Sequence, residues 1–405
     1  MNVVFLTLSG INSINDRGIY PDLIRKFGNE GHHIYVVRPI ERRYHQKSSV
    51  ETFGNVTIIK VWTLNVRSTN IFEKGLSTLL FEVLFMKASR KYLGSVPMDL
   101  ILYSTPPITF TNVVKYLKKA NPKAVSYLLL KDIFPQNALD LGVMSEKGLK
   151  GVMYYYFRKK EISLYKISDY IGCMSPANVE YMINHNPFYP ADHVEVAPNS
   201  IELKLSPIEI QDKNIVRKRY GLPTDFPIFI YGGNLGKPQG IDFLINCLEA
   251  ILNRKDFYFV IVGNGTEFHK LQAWYDSCHP SNIKLLKGLP KEEYDMLVNC
   301  CDIGLVFLDY RFTIPNYPSR ILSYLENKMP VICATDVNTD IGKIAEENGY
   351  GFWCESKKPT DFVELIDRFV ANPEIIKTMG NCGYEYLRKH YIVDNTYQAI
   401  AKHFS

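Results

Sequence analysis

Apolar residues recur along this chain in two rhythms. Short runs of Val, Ile, Leu, Phe and Tyr, bounded by Gly, Pro, Asn or charged residues, alternate with longer stretches where apolar positions return every three or four residues. The first pattern reads as a strand buried on both faces, the second as a helix packed by one face. In the first half, strands are expected at Val3–Thr7, Ile34–Val37, Val56–Val61, Leu100–Tyr103, Ala124–Leu130, Tyr170–Met174 and Val194–Ala197, with helices near 18–29, 74–93, 108–120, 147–168 and 176–185. In the second half, strands are expected at Ile228–Tyr231, Tyr258–Val262, Ile283–Leu286, Ile303–Phe307, Val331–Ala334 and Gly351–Cys354, with helices near 240–253, 266–277, 291–299, 318–327, 340–347 and 360–371. Strands alternating with helices along most of the chain predict the α/β class, with mostly parallel sheets covered on both faces and right-handed crossovers.

The alternation breaks at Pro198-Asn199-Ser200-Ile201-Glu202, and polar residues follow to about Asn214. A chain of 405 residues suits two domains. The break sets them at 1–200 and 201–385, followed by a helical tail interrupted around Tyr391–Asp394. The opening strand is too short and too poor in basic residues for a secretory signal, so the chain is expected to fold in the cytoplasm.

Composition narrows the picture. The net charge of +5 is too small to argue for nucleic acid. The eight cysteines form no C-x-x-C pair and several lie in apolar runs, so reduced, buried thiols are expected. No His/Cys cluster has metal spacing and no D-x-D occurs, so no metal site is expected. Charge distribution says more: Lys147, Lys150, Arg158, Lys159, Lys160 and Lys166 are interleaved with Met153-Tyr154-Tyr155-Tyr156-Phe157, and an apolar helix Ile71–Met86 ends in Lys87, Arg90 and Lys91. Basic faces mixed with apolar and aromatic residues suit an anionic membrane surface, the alternative being sheet cover with solvated charges.

Candidate chemistry lies where strands turn into helices. Gly232-Gly233-Asn234-Leu235-Gly236-Lys237-Pro238-Gln239-Gly240 follows one strand; its glycines let a backbone approach a pyrophosphate that Lys237 can neutralise. It is not G-x-G-x-x-G, which disfavours a dinucleotide. Val262-Gly263-Asn264-Gly265-Thr266 and Leu286-Lys287-Gly288-Leu289-Pro290 end the next two strands. In Asn316-Tyr317-Pro318-Ser319-Arg320, Pro318 is expected in a helix's first turn, leaving the N–H groups of Ser319 and Arg320 to meet a phosphate beside the Arg320 charge. In the first half, Leu130-Lys131-Asp132-Ile133-Phe134-Pro135 and Tyr103-Ser104-Thr105-Pro106-Pro107 close strands, and Ser9-Gly10 through Arg17-Gly18 forms a glycine-bearing loop. A carboxylate at such a strand end sits where ligands bind in these sheets; a helix cap or ion pair is the plainer role for Asp132. Glu161 is expected to pair within its helix.

Pro318-Ser319-Arg320, Tyr324, Pro330 and Val331, with the glycine turns in order before them, resemble the nucleotide-sugar-binding segment of retaining glycosyltransferases of family 4. The resemblance covers roughly residues 195–390 and implies a GT-B fold, in which two facing Rossmann-like domains flank a cleft and a C-terminal helix, here 386–405, crosses back onto the first. It implies a UDP-sugar as substrate rather than a bound cofactor, with Gly233, Asn234, Gly263, Gly265, Gly288, Leu289, Asn316, Tyr317, Pro318 and Ser319 on the donor. Ser9, Gly10, Arg17 and Gly18 would approach the diphosphate from the first domain, Lys237 and Arg320 would neutralise it, and Asp132 would orient the acceptor hydroxyl. The family's Glu-x7-Glu pair falls on Pro315 and Ser323, so both carboxylates are absent; Ser323 or Glu326 would take the ribose, and Asn316 or Thr313 the sugar. The segments Lys131–Gly142, Ser175–Glu180 and Ala334–Gly342 resemble bacterial O-antigen and capsule enzymes, nearest to N-acetyl-L-fucosaminyl transferases. The implied acceptor is an oligosaccharide or a polyprenyl-diphosphate-linked sugar at the inner face of the plasma membrane. Two other readings stay open: a nucleotide-sugar epimerase of the same architecture, and a catalytically inactive partner subunit.

Overall fold

A computed structural model describes residues 1–65, 71–203, 213–252 and 254–404. Most of the polar stretch after Glu202, and the side chain of Leu79 in the expected apolar helix, lie outside the described residues. The chain packs as two compact units, Met1–Glu202 with Ile392–Ser405, and Leu203–Tyr391.

The first unit is built on β1 (Asn2–Leu6), β2 (His33–Glu41), β3 (Ser49–Phe53), β4 (Val56–Thr63), β5 (Leu100–Ser104), β6 (Val125–Leu130), β7 (Tyr170–Cys173) and β8 (Val194–Val196). They form one sheet in the order β3-β4-β2-β1-β5-β6-β7-β8, parallel except for the β3–β4 hairpin. The second unit carries β9 (Ile228–Asn234), β10 (Tyr258–Asn264), β11 (Ile283–Lys287), β12 (Ile303–Phe307), β13 (Val331–Thr335) and β14 (Gly351–Glu355) in the all-parallel order β11-β10-β9-β12-β13-β14. Central strands such as Leu100–Ser104, Ile303–Phe307 and Val331–Thr335 are buried at every residue, because helices cover both faces of each sheet. In each unit the chain grows one way from the first strand and then returns to its other side, so β1/β5 and β9/β12 are switch points. Ligands of open parallel sheets bind outside the carboxyl ends of the strands at such points.

Several features differ from the sequence expectation. Strand β3 had no apolar run to announce it: it is a sheet edge, with Val50 and Phe53 exposed. A helix over Lys213–Arg219, not expected from the sequence, begins where the polar stretch ends; Arg217 turns inward to the carboxylate of Asp302 at 2.6 Å and to the Cys300 carbonyl at 2.9 Å. All eight cysteines are free thiols and six are buried, but Cys382 is exposed.

The segment returning to the first unit is shorter than 386–405. Helix Glu374–His390 stays in the second unit, where Gly380 packs so close to Lys328 that a Cβ would lie 1.9 Å from its carbonyl oxygen. Tyr386 and Tyr391 meet edge-on in that same unit. Only helix Val393–Ala401 crosses over, packing on helix Ile19–Asn29. The Val393 N–H donates to the Ile201 carbonyl at 3.0 Å, Thr396 shares a 2.7 Å hydroxyl bond with Ser200, and Tyr397 meets Phe27 edge-on. Val393 and Ile400 join the buried core of the first unit. We therefore expect Ile400→Ala to lower the stability of that unit by roughly 2–5 kcal/mol. Asp394→Ala, which removes an exposed ion pair to Lys26, should cost under about 1 kcal/mol. Urea denaturation of the two variants measures the contrast, and equal losses would contradict this account of the helix.

Candidate functional site

The switch point of the second unit is assembled from turns packed on turns. At the ends of β9 and β10, Gly233 pairs with Gly263 and Asn234 with Asn264. A Cβ at Gly263 would fall 1.8 Å from the Gly233 carbonyl oxygen, so only glycine allows the two strand ends to meet. The Leu235 N–H donates to the Asn264 carbonyl at 2.9 Å, and the Gly288 N–H to Asn264 Oδ1 at 3.2 Å, which fuses three strand ends into one surface. Within the first loop, Gln239 is buried and its Oε1 accepts from Asn234 Nδ2 at 2.7 Å and the Gly236 N–H at 3.2 Å. Gln239 thus shapes the loop. Gly233, Asn234, Lys237, Asn264, Gly265, Thr266, Lys287 and Gly288 are exposed along its rim, and Leu289 is half-buried behind them.

Arg320 reaches this surface from below. Its guanidinium lies 4.3 Å from the centroid of the Tyr231 ring, and a Cβ at Gly233 would sit 3.3 Å from it. Gly233 has φ +133°, a conformation that favours glycine on its own account. Nη1 of Arg320 is buried and has no hydrogen-bond partner among the described residues. An unpaired buried guanidinium nitrogen is costly and calls for an acceptor. Tyr324 fixes the helix that carries Arg320: its hydroxyl accepts the Gly232 N–H and faces the Ile230 carbonyl, each at 3.2 Å. Its ring fills the place a Cβ at Gly304 would occupy. Tyr294 packs on Gly232 in the same way.

That helix spans Arg320–Glu326, with Ser319 as its N-cap. It begins two residues later than expected, so Pro318 precedes the helix instead of occupying its first turn. Ile321 and Leu322 donate to the carbonyls of Pro318 and Ser319, at 3.4 and 3.1 Å, and the turn is tightened. Ser319 is exposed on it. The other residues of the motif are placed less alike. The Asn316 N–H donates to Thr339 Oγ1 at 3.0 Å and its side-chain amide to the Ile314 carbonyl. Tyr317 is buried and its hydroxyl bonds that of Tyr391, so the side chain is spent inside the unit. Ser323 and Glu326 are half-buried along the helix, and Pro315 is buried.

Three contributors were not among the expected site residues. Tyr231 and Tyr294 enclose Arg320, yet in sequence they are ordinary aromatics of a strand and a helix. Asp336, fully buried, accepts the N–H groups of Asn338 and Thr339 through Oδ1 and the Thr339 hydroxyl through Oδ2, and so sets the hydroxyl that receives Asn316. Burial pushes its carboxyl up to about 6. An Asp followed by Asn and Thr at a strand end was the available signal.

The first unit brings its candidates to its own switch point and to the neighbouring strand end. The Ser9 N–H donates to Thr7 Oγ1 at 3.1 Å, and Ser104 bonds Thr7 from β5. Asp16 accepts from Asn12 and Ser13, Asp22 accepts the Gly18 N–H at 3.1 Å, and Arg17 donates to the Glu202 carbonyl at 3.0 Å. A Cβ at Gly10 would meet nothing within 4 Å, so local packing does not demand that glycine. At the end of β6, Asp132 accepts from Asn137 Nδ2 at 2.7 Å, and its N–H donates to Thr105. Burial raises its carboxyl to about 6 against the opposing Asn137 bond. Next to it, burial lowers Lys131 to about 7 while Nζ donates to the Ala197 carbonyl at 2.8 Å. Glu161 pairs with Arg158 one turn away in its own helix and accepts from Tyr165.

Residues 212–386, nearly all of the second unit, match the family described as Glycosyl transferases group 1. The chain is 23% identical over 268 residues to "Probable glycosyltransferase WbjE" of Pseudomonas aeruginosa, covering 65% of this chain and 64% of that protein. Among solved structures it resembles sucrose-phosphate synthase from Thermosynechococcus elongatus, with TM-score 0.76, 15% identity and coverage of 100% and 98% of the two chains. It also resembles Anabaena HepE in complex with UDP, with TM-score 0.68, 15% identity and coverage of 100% and 99%. The fold is therefore GT-B: two Rossmann-like units, the second with the sequence signature of group 1 glycosyltransferases.

Tyr324→Phe should leave the backbone groups of Gly232 and Ile230 without their buried partner. We expect a loss of roughly 1–3 kcal/mol in the stability of the second unit. Thermal denaturation checks this, and an unchanged midpoint would remove Tyr324 from the account.

Proposed function

We propose that the protein is a retaining, metal-independent glycosyltransferase of family 4 that takes its sugar from a UDP-sugar. The observation that carries this reading is the unpartnered Arg320 Nη1 beneath Gly233, with Lys237 exposed further along the same loop, at the switch point of the group 1 region. Arg320 and Lys237 are the cations for the diphosphate, and Gly233, Gly263, Gly265 and Gly288 let backbone approach the nucleotide closely. WbjE and the UDP complex of HepE support the same direction. The sugar is proposed to be an N-acetylated deoxyhexosamine such as N-acetyl-L-fucosamine. The acceptor is a polyprenyl-diphosphate-linked or free oligosaccharide, in bacterial surface polysaccharide synthesis at the cytoplasmic face of the plasma membrane.

In the proposed step, the bond from the anomeric carbon to the diphosphate oxygen breaks. The acceptor hydroxyl forms the new bond on the same face, its proton passes to the leaving phosphate oxygen, and UDP departs. Arg320 and Lys237 stabilise the charge that grows on the diphosphate, the kind of contact worth roughly 3 kcal/mol or a hundredfold in rate. Asp132 and the Ser9–Gly18 loop are proposed to orient the acceptor hydroxyl and donor from the first unit.

UDP should bind in calorimetry with EDTA present, and Arg320→Ala and Lys237→Ala should each lower turnover about a hundredfold at saturating donor. Absence of UDP binding, or a strict need for a divalent ion, would sink the proposal. UDP binding without transfer to any polyprenyl-linked sugar would favour an inactive partner subunit.

The raised carboxyl of Asp132 adds a pH test. Below about 6 it is protonated and accepts the acceptor hydroxyl poorly, so transfer should fall on the acid side of that value. Asp132→Asn should lower transfer, abolish that acid limb and leave UDP affinity unchanged. A variant that keeps the limb would return Asp132 to a structural role.

A further inference from the structure

Helix Gly148–Ile167 has two apolar faces. The inner one, with Gly151, Tyr154, Glu161, Leu164 and Tyr165 buried, packs on the first unit, where Phe157 also meets Phe134 edge-on at 5.2 Å. On the other side, Leu149, Val152, Met153 and Tyr156 follow one another at i, i+3, i+4 and i+7, the spacing that normally marks a buried stripe. Here the stripe faces solvent: Leu149 is 83% exposed, Val152 67%, Met153 49% and Tyr156 43%. Side chains of this size are exposed singly on any surface, but four in one stripe on a helix held rigidly by its other face are a binding surface.

The surrounding charge names the occupant. Lys147, Lys150 and Lys159 are exposed at the two ends of the stripe, with Glu146 as the acidic exception. Arg158 faces inward to Glu161 and to Asn186 Oδ1 at 2.7 Å, and Lys160 approaches Glu82 at 3.5 Å; neither is a surface charge in the way its sequence position suggests. A second copy of the chain on this face would bring like lysines into one desolvated seam. An anionic bilayer accepts the apolar stripe among its acyl chains and the lysines among its headgroups. Among the described residues no helix is long and apolar enough to cross a membrane, so the helix would lie in the interface plane.

We infer that Leu149, Val152, Met153 and Tyr156 insert into an anionic membrane surface, with Lys147, Lys150 and Lys159 on the headgroups. This deepens the proposed action on a lipid-linked acceptor, yet it is separable from it. Attachment is then mainly by insertion, and salt releases only the lysine contribution.

Flotation with vesicles of phosphatidylethanolamine and phosphatidylglycerol tests it, with UDP calorimetry on the same preparations. Wild type should float at low salt and remain partly bound at high salt. Leu149→Glu with Met153→Glu should reduce partitioning at least about tenfold at both salts. Lys150→Glu with Lys159→Glu should weaken binding at low salt only. In Met153→Trp, brominated lipid should quench the added fluorescence. Wild type that stays unbound while still binding UDP would overturn the surface and leave the donor site standing; flotation without UDP binding would do the reverse. Flotation unaffected by the two glutamates would also overturn it, as would a dimer in solution that those glutamates dissolve.

Discussion

The second unit depends on the hydroxyl of Tyr324. One oxygen meets the backbone of β9 at Gly232 and Ile230 and faces the Leu305 carbonyl of β12 at 3.4 Å. These are the two strands that flank the switch point. The same side chain belongs to the helix that begins with Arg320, one turn earlier. Pinning the helix at Tyr324 therefore sets how far beneath Gly233 the guanidinium can reach. The glycines complete the constraint: Gly304 admits the Tyr324 ring, Gly232 admits Tyr294, and Gly263 lets the next strand end close over Gly233. A charged group is thereby held under a thin layer of backbone. In this arrangement Arg320 loses little conformational freedom when an anion arrives, because its position is already fixed by packing.

Both units follow the same construction with different chemistry at the strand ends. The second offers cations and bare backbone. The first offers a loop stitched by its own carboxylates, Asp16 and Asp22, and a carboxyl at the end of β6. The family match is confined to residues 212–386, which is consistent with this division.

Much of the fold was legible because central parallel strands are buried on both faces. Ile303–Phe307 and Val331–Thr335 must be apolar throughout, and their runs stand out against the amphipathic helices between them. Legibility fails where burial is one-sided or absent. Strand β3 is an edge, so its sequence carries no apolar run. The start of the helix at Arg320 is set by the tight turn over Pro318 and Ser319, and a proline's tolerance for a first turn does not require it to be there. At the site, glycine and charge patterns pointed to the strand ends. Which side chain faces the surface and which is spent inside was not readable: Tyr317 bonds Tyr391, Gln239 holds Asn234, and Arg158 turns away from the lysines beside it in sequence. Tyr391 lies far along the chain from Tyr317, and the nearer partners of Gln239 and Arg158 come within reach only through the turn of their loop and helix.

The end of β6 shows the cost of a site that is not fully satisfied. Lys131 and Asp132 are neighbours, yet the ammonium bonds a backbone carbonyl and the carboxylate bonds an amide, so neither charge neutralises the other. Burial raises one to about 6 and lowers the other to about 7. For Asp132 the folded state holds its proton longer than the unfolded chain does, so stability falls as pH rises from about 4 toward 6. For Lys131 the folded state releases its proton earlier, so stability rises with pH from about 7 toward 10. The two penalties overlap between about 6 and 7, where both groups carry charge and folding is least favoured by this pair. A fold under no demand but stability would have paired them or replaced them with apolar residues. The pair stands at a strand end, where open parallel sheets place ligands, and that position is why the proposed acceptor role of Asp132 is put there.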